Sequence, residues 1–138
     1  MPFAGIADRD AIQDEMPWEE RDVAKTLYGM LSDTAGKFPT HNAISYQIFS
    51  DPKAKAETLN WSALKDRTTQ CANMFRAMGI GPTDVVAYVL PNATETVITL
   101  LGGAVAGIVN PINPLLDAEQ IGAILRETNA KVVVTLRA

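Results

Sequence analysis

The feature that most constrains the fold is the stretch 85–109, which reads VVAYVLPNATETVITLLGGAVAGIV. Its opening residues, 85–90, are apolar without alternation, which is typical of a strand covered on both faces. A short turn follows, then an apolar helix and the start of a second strand at Ile108. A strand, a helix and a second strand in this order form a right-handed unit with parallel strands. The rest of the chain is predicted to pack around that unit.

The same pattern repeats downstream. Residues Ile108 to Ile112 predict a strand, and residues Lys131 to Thr135 predict a third. The helix between them is predicted to begin after Asp117, with Gln120 completing a capping box, and to end at Asn129. The predicted fold class is therefore α/β, an open and mainly parallel sheet with flanking helices. Such sheets bind ligands at the carboxyl ends of their strands.

Two helices are predicted upstream of this unit. The first runs from Val23 to Lys37 and is capped by Asp22, and the second runs from Ser62 to Met78. Either Asn60 or Ser62 is expected to cap the second helix, and Gly79 is expected to end it in a left-handed conformation. Residues at helical spacing give this helix one buried stripe: Leu64, Thr68, Cys71, Phe75 and Met78.

A hairpin is predicted between these two helices. Residues Ala43 to Phe49 alternate between apolar and polar, and Thr58 to Trp61 form a shorter apolar-rich run. Alternation indicates a strand with one wet face, so we expect an antiparallel hairpin at the edge of a sheet.

The first 22 residues differ in character from the rest. Seven of them are acidic and two are basic, and their apolar residues have little periodicity. This composition predicts a solvated or loosely docked arm, with anchoring through Met16, Pro17 and Trp18 as the alternative. The predicted organisation is an acidic N-terminal arm, residues 1–22, followed by one α/β segment, residues 23–138.

Composition excludes several classes of function. The net charge is −4 and no basic patch is visible, so no nucleic-acid partner is expected. The single cysteine, Cys71, excludes an internal disulfide framework and favours a reducing compartment, so we expect a cytoplasmic protein. The longest apolar run, residues 97–109, is shorter than the ~20 residues that cross a bilayer, so no transmembrane segment is expected.

Candidate site residues are few. Asn92 and Asn113 follow predicted strands and are candidates for lining a substrate cleft, although each is also explained as a cap or turn residue, Asn92 in a capping box with Glu95. His41, the only histidine, has no carboxylate cluster near it in sequence, and Cys71 is read as a core residue. Glycines within or just after the apolar helix are interpreted as packing positions, because phosphate loops place glycines before a helix: Gly102, Gly103 and Gly107.

An ordered series of short segments runs from residue 23 to residue 136. It includes LNWSAL at 59–64, MGIGPTDVVA at 78–87, LPNATE at 90–95 and AKVVVT at 130–135. In order and spacing the series resembles the opening of AMP-forming acyl-CoA synthetases, which belong to the adenylate-forming enzyme superfamily. The departures from the family pattern, Trp61, Ala63 and Thr83, fall at structural positions.

The resemblance implies the first segment of the large N-terminal domain of such an enzyme. The parent enzyme joins a small-molecule carboxylic acid to CoA, using ATP and Mg²⁺, and releases AMP and pyrophosphate after an acyl-adenylate intermediate. In the family, the phosphate loop with its lysine and the other ATP-binding motifs lie downstream of this segment. The resemblance therefore implies no catalytic, cofactor-binding or metal residue here, and predicts a scaffold without activity of its own.

Two other functions stay open on the sequence alone. One is a free-standing α/β module that binds a ligand or a partner. The other is a small dinucleotide-dependent enzyme, which is the least favoured because no glycine-rich fingerprint follows a strand in this sequence.

The predicted strands also suggest how the chain behaves in solution. They are apolar on both sides but lack covering elements, so we expect an exposed apolar surface and self-association.

Overall fold

The computed structural model describes residues 5–49, 51 and 53–137. Residues 1–4 of the predicted arm, and residue 138 of the predicted α/β segment, lie outside this range. The elements in chain order are α1 Ile6–Asp14, a 3-10 turn Trp18–Glu20, α2 Leu27–Lys37, β1 Asn42–Tyr46, β2 Glu57–Asn60, α3 Trp61–Ala77, β3 Val85–Val89, α4 Thr94–Ala106, β4 Ile108–Ile112, α5 Ala118–Glu127 and β5 Ala130–Thr135.

The predicted parallel sheet is confirmed. Its strand order is β4-β3-β5, and β3 pairs in parallel with both neighbours. β3 is the strand predicted to be covered on both faces, and Val86 and Ala87, which point to opposite faces, are both fully buried. The apolar run that dominates the sequence is therefore the central strand of the sheet.

The helices α4 and α5 lie on opposite faces of this sheet. The side chain of Val109 lies against α4, where a Cβ built on Gly103 would be 3.1 Å from Val109 Cγ2. The next residue, Asn110, donates a hydrogen bond of 3.4 Å from Nδ2 to Oγ1 of Thr128, at the end of α5. Adjacent residues of a strand point to opposite faces, so the two helices cover different sides.

The predicted antiparallel hairpin is confirmed, with β1 paired to β2. Within the described residues it forms a two-stranded sheet of its own, so the expectation that it would lie at the edge of the larger sheet is corrected. The hairpin is held by packing, because Leu59 of β2 is buried in one cluster with Leu31 of α2 and Leu64 of α3. This cluster also contacts α4, through Ile98 and Leu101, and so connects the hairpin to the rest of the fold.

A second core cluster lies between the helices and the parallel sheet. Its buried members come from α3, β3, α4 and the turn before β3: Ala72, Phe75, Ile80, Val86 and Ala106. Val132 and Val134 of β5 pack against it. The packing role predicted for the glycines fits this arrangement, because a Cβ on Gly102 would lie 2.6 Å from Cys71 Sγ, closer than real Cβ contacts come.

Several predicted helix ends are corrected. α2 begins at Leu27, where Thr26 Oγ1 accepts a 3.0 Å bond from Gly29 N, so Thr26 and not Asp22 is the cap. Asn60 caps α3 as predicted, since its Oδ1 accepts a 2.8 Å bond from Ala63 N. Met78 is 58% exposed because it lies beyond the last turn of α3, next to the left-handed Gly79.

The arm contains a helix that the sequence did not predict. α1 buries no residue, so it has no core-facing stripe for a periodicity argument to detect. Gly5 N donates to Asp8 Oδ2 at 3.1 Å, and Arg21 Nη2 donates to the carbonyl oxygen of Ile12 at 2.7 Å. Trp18 stays 68% exposed. Local hydrogen bonds therefore account for much of the structure of this region.

Asp84 connects the starts of all three parallel strands. Its Oδ2 accepts a 2.8 Å bond from Gly81 N, and its Oδ1 is 2.7 Å from Nζ of Lys131, in β5. Its carbonyl oxygen accepts a 2.9 Å bond from Ile108 N, in β4. One residue before β3 thus contacts both flanking strands.

We expect Asp84→Asn to make stability less dependent on pH. The side-chain bond to Lys131, and then the bond from Gly81 N, lower the pKa of Asp84 from its usual 3.8. A carboxyl group whose pKa is lower in the folded state than in the unfolded state stabilises the fold above pH 3.8. This contribution is lost as the pH falls through the pKa of the folded state. The variant should therefore unfold at lower urea concentration than the native chain at about pH 7, and this gap should narrow as the pH is lowered below 3.8. A gap that does not change with pH would contradict the assignment.

Candidate functional site

The candidate site is the carboxyl edge of the parallel sheet. Val89, at the end of β3, pairs with Ile112 of β4 and with Thr135 of β5. The segments 90–93, 113–116 and 136–137 therefore leave the sheet at the same edge. The chain goes from β3 to β4 on one side and then crosses back to β5 on the other, so the strand order reverses between β3 and β5. Open α/β sheets bind ligands outside the carboxyl ends of the strands at such a reversal.

The two candidate asparagines lie at this edge, and both are exposed. Asn113 Oδ1 accepts a 3.0 Å bond from Leu115 N, which is the turn role that the sequence offered as its alternative. The capping box predicted for Asn92 and Glu95 is wrong, because Ala93 is the N-cap of α4 and no side chain bonds there. A role for either asparagine in a substrate cleft stays a prediction.

The segment 91–96 is held by a different interaction. Thr96 Oγ1 donates a 2.5 Å bond to the carbonyl oxygen of Pro91, which ties the first turn of α4 to the end of the strand segment. This bond satisfies the carbonyl oxygen of Pro91 and no N–H group of the helix, so it anchors the first turn of α4 without capping it. Sequence reasoning did not identify it, since the donor is inside the helix and not before it.

Thr94 is the second residue at this edge that sequence reasoning missed. It is the first residue of α4 and is 1% exposed, and its Oγ1 has no hydrogen-bond partner among the described residues. Leaving a buried hydroxyl unpaired costs about 1–3 kcal/mol. In the sequence, Thr94 is only a threonine at the start of an apolar helix. Its position does not reveal whether its side chain faces solvent or the protein interior.

Metal binding and acid–base chemistry would each need suitable side chains among the described residues. No group of three or more His, Cys, Asp and Glu side chains that could hold a metal occurs among them. His41 stacks on Phe38, with ring centroids 5.4 Å apart and planes at 21°. Burial raises the pKa of the Cys71 thiol, which disfavours the reactive thiolate. No step of a reaction is therefore assigned to these residues.

A groove of about 490 Å³ lies elsewhere, between the start of α2, α3 and α4. Tyr28 OH and Thr69 Oγ1 are 2.9 Å apart across it, and Arg76 Nη2 donates a 3.2 Å bond to the carbonyl oxygen of Val105. No acidic side chain lines the groove, so it brings together no acid–base pair. The carboxyl edge remains the better candidate site.

The fold is that of the N-terminal segment of an adenylate-forming enzyme. The sequence profile described as "AMP-binding enzyme" matches residues 31–138, and the chain belongs to that family. Among the described residues, no helix combines the length and apolar character needed to span a bilayer.

Relatives and solved structures agree with this membership. The chain is 33% identical over 127 residues to marinolic acid–CoA ligase of Pseudoalteromonas sp. (strain SANK 73390), covering 89% of this chain and 19% of that protein. It is 30% identical over 112 residues to tyrocidine synthase 2 of Brevibacillus parabrevis, covering 80% of this chain and 3% of that protein. The crystal structure of the N-terminal domain of FACL13 from Mycobacterium tuberculosis superposes with a TM-score of 0.71 at 26% identity, covering 81% of this chain and 27% of that one. The chain thus spans a fifth or less of the length of the two curated relatives.

Proposed function

We propose that this chain is the N-terminal scaffold segment of an AMP-forming acyl-CoA ligase. The observation that carries the proposal is the family match over residues 31–138, on a parallel sheet whose order reverses beside the loop 90–93. A CoA ligase is favoured over a peptide-synthetase adenylation domain. The similarity to the marinolic acid–CoA ligase extends over 89% of the chain, against 80% of the chain for the tyrocidine synthase.

The proposed parent reaction activates a carboxylic acid in two steps. The acid and ATP give an acyl-adenylate and pyrophosphate, and the CoA thiol then displaces AMP to form the thioester. A free carboxylate resists nucleophiles because it has no good leaving group, and adenylation supplies one. Bound Mg²⁺ would neutralise the phosphate charge during the first step. We place the reaction in the cytoplasm, where the single cysteine of the chain stays reduced.

The contribution of these residues is structural in this proposal. The central strand β3 and the first turn of α4, joined by the bond from Thr96 to Pro91, fix the course of the segment 90–94 at the carboxyl edge. Asn92 and Asn113 are proposed to face the substrate cleft of the parent enzyme from this edge. The arm, residues 1–22, is proposed to lie outside the α/β segment.

The first experiment is pyrophosphate exchange by the 138-residue chain with ATP, Mg²⁺ and a fatty acid. We expect no exchange above the protein-free blank, because no metal-binding group of side chains occurs among the described residues and the phosphate loop of the family lies downstream of this segment. The marinolic acid–CoA ligase serves as the positive control. Exchange by the isolated chain would overturn the scaffold assignment while leaving its family membership intact.

A chimera tests the parent reaction itself. Replacing the matched region of the marinolic acid–CoA ligase by this chain should preserve exchange to within about tenfold of the native ligase, a change of about 1.4 kcal/mol in the barrier. Circular dichroism would establish that the chimera folds. A folded chimera without exchange would contradict the proposed role in acyl-adenylate formation.

A further inference from the structure

The groove between the start of α2, α3 and α4 has walls made by helices. Its lining residues fall within the range 26–105 and belong to the start of α2, to α3 and to the last turn of α4. Its volume of about 490 Å³ is within the range of about 300–1,000 Å³ that is typical of small-molecule pockets. Thr94 begins α4 at the carboxyl edge of the sheet, whereas the groove lies at the other end of that helix. The groove is therefore separate from that edge.

Arg76 is the one charged residue in the lining of this groove. Its guanidinium group has five N–H donors and stays protonated in proteins. One hydrogen bond is described for it, from Nη2 to the carbonyl oxygen of Val105 at 3.2 Å. Val105 lies in the last turn of α4, where carbonyl groups lack helical partners, so this bond holds the guanidinium group at the groove. The other donors have no partner among the described residues, and no carboxylate in the lining balances the charge.

The two hydroxyl groups that meet across the groove are already satisfied. Thr69 Oγ1 donates a 2.8 Å bond to the carbonyl oxygen of Lys65, so its hydrogen is in use. In the 2.9 Å contact between Tyr28 OH and Thr69 Oγ1, tyrosine is therefore the donor. Neither hydroxyl group keeps a hydrogen for a ligand. Apolar side chains make up much of the rest of the lining: Leu27, Ala72, Ala104 and Val105.

We propose that this groove binds a free carboxylic acid that has an apolar tail. Its carboxylate accepts two parallel bonds from the planar guanidinium group of Arg76. Asn73 lies three residues before Arg76, on the same face of α3, and its amide NH₂ donates to the same carboxylate. The tail lies against the apolar side chains of the lining, and its burial adds to the affinity.

A carboxylate suits the groove better than a phosphate group does. Two helix ends meet there, and the N-terminal end of α2 attracts an anion while the C-terminal end of α4 repels it. Because these effects oppose each other, the single charge of Arg76 decides which ligand charge is balanced. A carboxylate carries one negative charge, whereas a phosphate monoester carries about −1.5 to −2 at pH 7.

Titration of the ¹⁵N-labelled 138-residue chain with octanoate, followed by NMR, tests this site. We expect saturable shifts of the amide signals from the residues that line the groove. Binding should be weaker by about tenfold or more for 1-octanol, which lacks the charge, and for acetate, which lacks the tail. Inorganic phosphate should bind no better than acetate. Binding requires neither ATP nor catalysis, so the result is independent of the parent reaction proposed above.

Arg76→Gln should weaken octanoate binding by about tenfold or more, because it removes the charge that the carboxylate pairs with. Arg67→Gln is the matched control, since Arg67 is an exposed arginine of the same helix that does not line the groove. It should leave the affinity unchanged. Asn73→Asp keeps the shape of the side chain and adds a negative charge beside Arg76, so it should also weaken binding.

Three results would overturn the proposal. One is equal weakening by the two arginine substitutions, which would indicate a general effect of charge. Another is 1-octanol or phosphate binding as tightly as octanoate. The third is a set of amide shifts that lies outside the groove or does not saturate. The ligand comparison and the shifts are measured on the native chain, so they remain decisive if Arg76→Gln fails to fold.

Discussion

Replacing Gly107 by alanine is expected to cost about 3 kcal/mol of folding free energy, at the upper end of what overpacking usually costs. A Cβ at this position would lie 2.5 Å from the carbonyl oxygen of Asp84 and 2.7 Å from that of Gly81. Both obstacles are backbone atoms, and the Asp84 carbonyl oxygen is fixed by its bond from Ile108 N. The φ of Gly107, −162°, lies outside the left-handed region, so the cost comes from the contact and not from a positive φ.

Urea unfolding followed by circular dichroism measures this loss, and Gly36→Ala is its control. A Cβ on Gly36 meets nothing within 4 Å, and the residue lies inside α2. Alanine is the better helix former by about 1 kcal/mol, so this variant should be slightly more stable than the native chain. If Gly107→Ala unfolds at the same urea concentration as the native chain, the close approach of α4 to the turn before β3 is wrong.

Replacing Phe75 by alanine should destabilise the fold by about 3–5 kcal/mol, the range found for large aromatic residues in cores. Phe75 is 1% exposed and belongs to the cluster that joins α3, β3 and α4. Removing its ring takes away apolar contacts and leaves a cavity that the surrounding helices cannot fill. Typical domains have a stability of about 5–15 kcal/mol, so this variant is expected to be at the margin of folding.

The neighbouring residue supplies the control for Phe75. Met74 is 50% exposed, and Met74→Ala should change the unfolding free energy by no more than about 0.5 kcal/mol. Thermal and urea unfolding of both variants give the comparison. Similar losses at the two positions would mean that α3 does not present Phe75 to the core.

The parts of the fold that were predicted correctly are those with a local signal. The unbroken apolar run gave β3, and the capping box of Asp117 and Gln120 gave the start of α5, where both hydrogen bonds are present. The hairpin was predicted from alternation, but its separation from the parallel sheet depends on which surfaces pack together. α1 was missed because a helix that buries nothing leaves no apolar period to detect.

The candidate site was harder to predict than the fold. Asn60 and Asn92 are both asparagines shortly before a helix, yet only Asn60 bonds to the first turn. The difference is one residue in where the helix begins, which the sequence pattern does not resolve. Thr94 was not identified, because its importance depends on a buried hydroxyl. Gly107 was identified as a packing position, but the backbone atoms that it approaches belong to a contact across the fold that the sequence does not show.

The strand order has a consequence for the time course of folding during synthesis. The central strand, β3, is made before either of its neighbours, and β5 is the last of the described strands to be made. Helix α3, β3, α4 and β4 are consecutive in the chain and can associate first, since nascent chains fold from the N-terminal side. One edge of β3 then stays unpaired until the ribosome has made residues 113–135, which end with β5. During that interval Val132 and Val134 have yet to cover the cluster around Phe75, and exposed apolar surface makes the nascent chain prone to chaperone capture and misfolding.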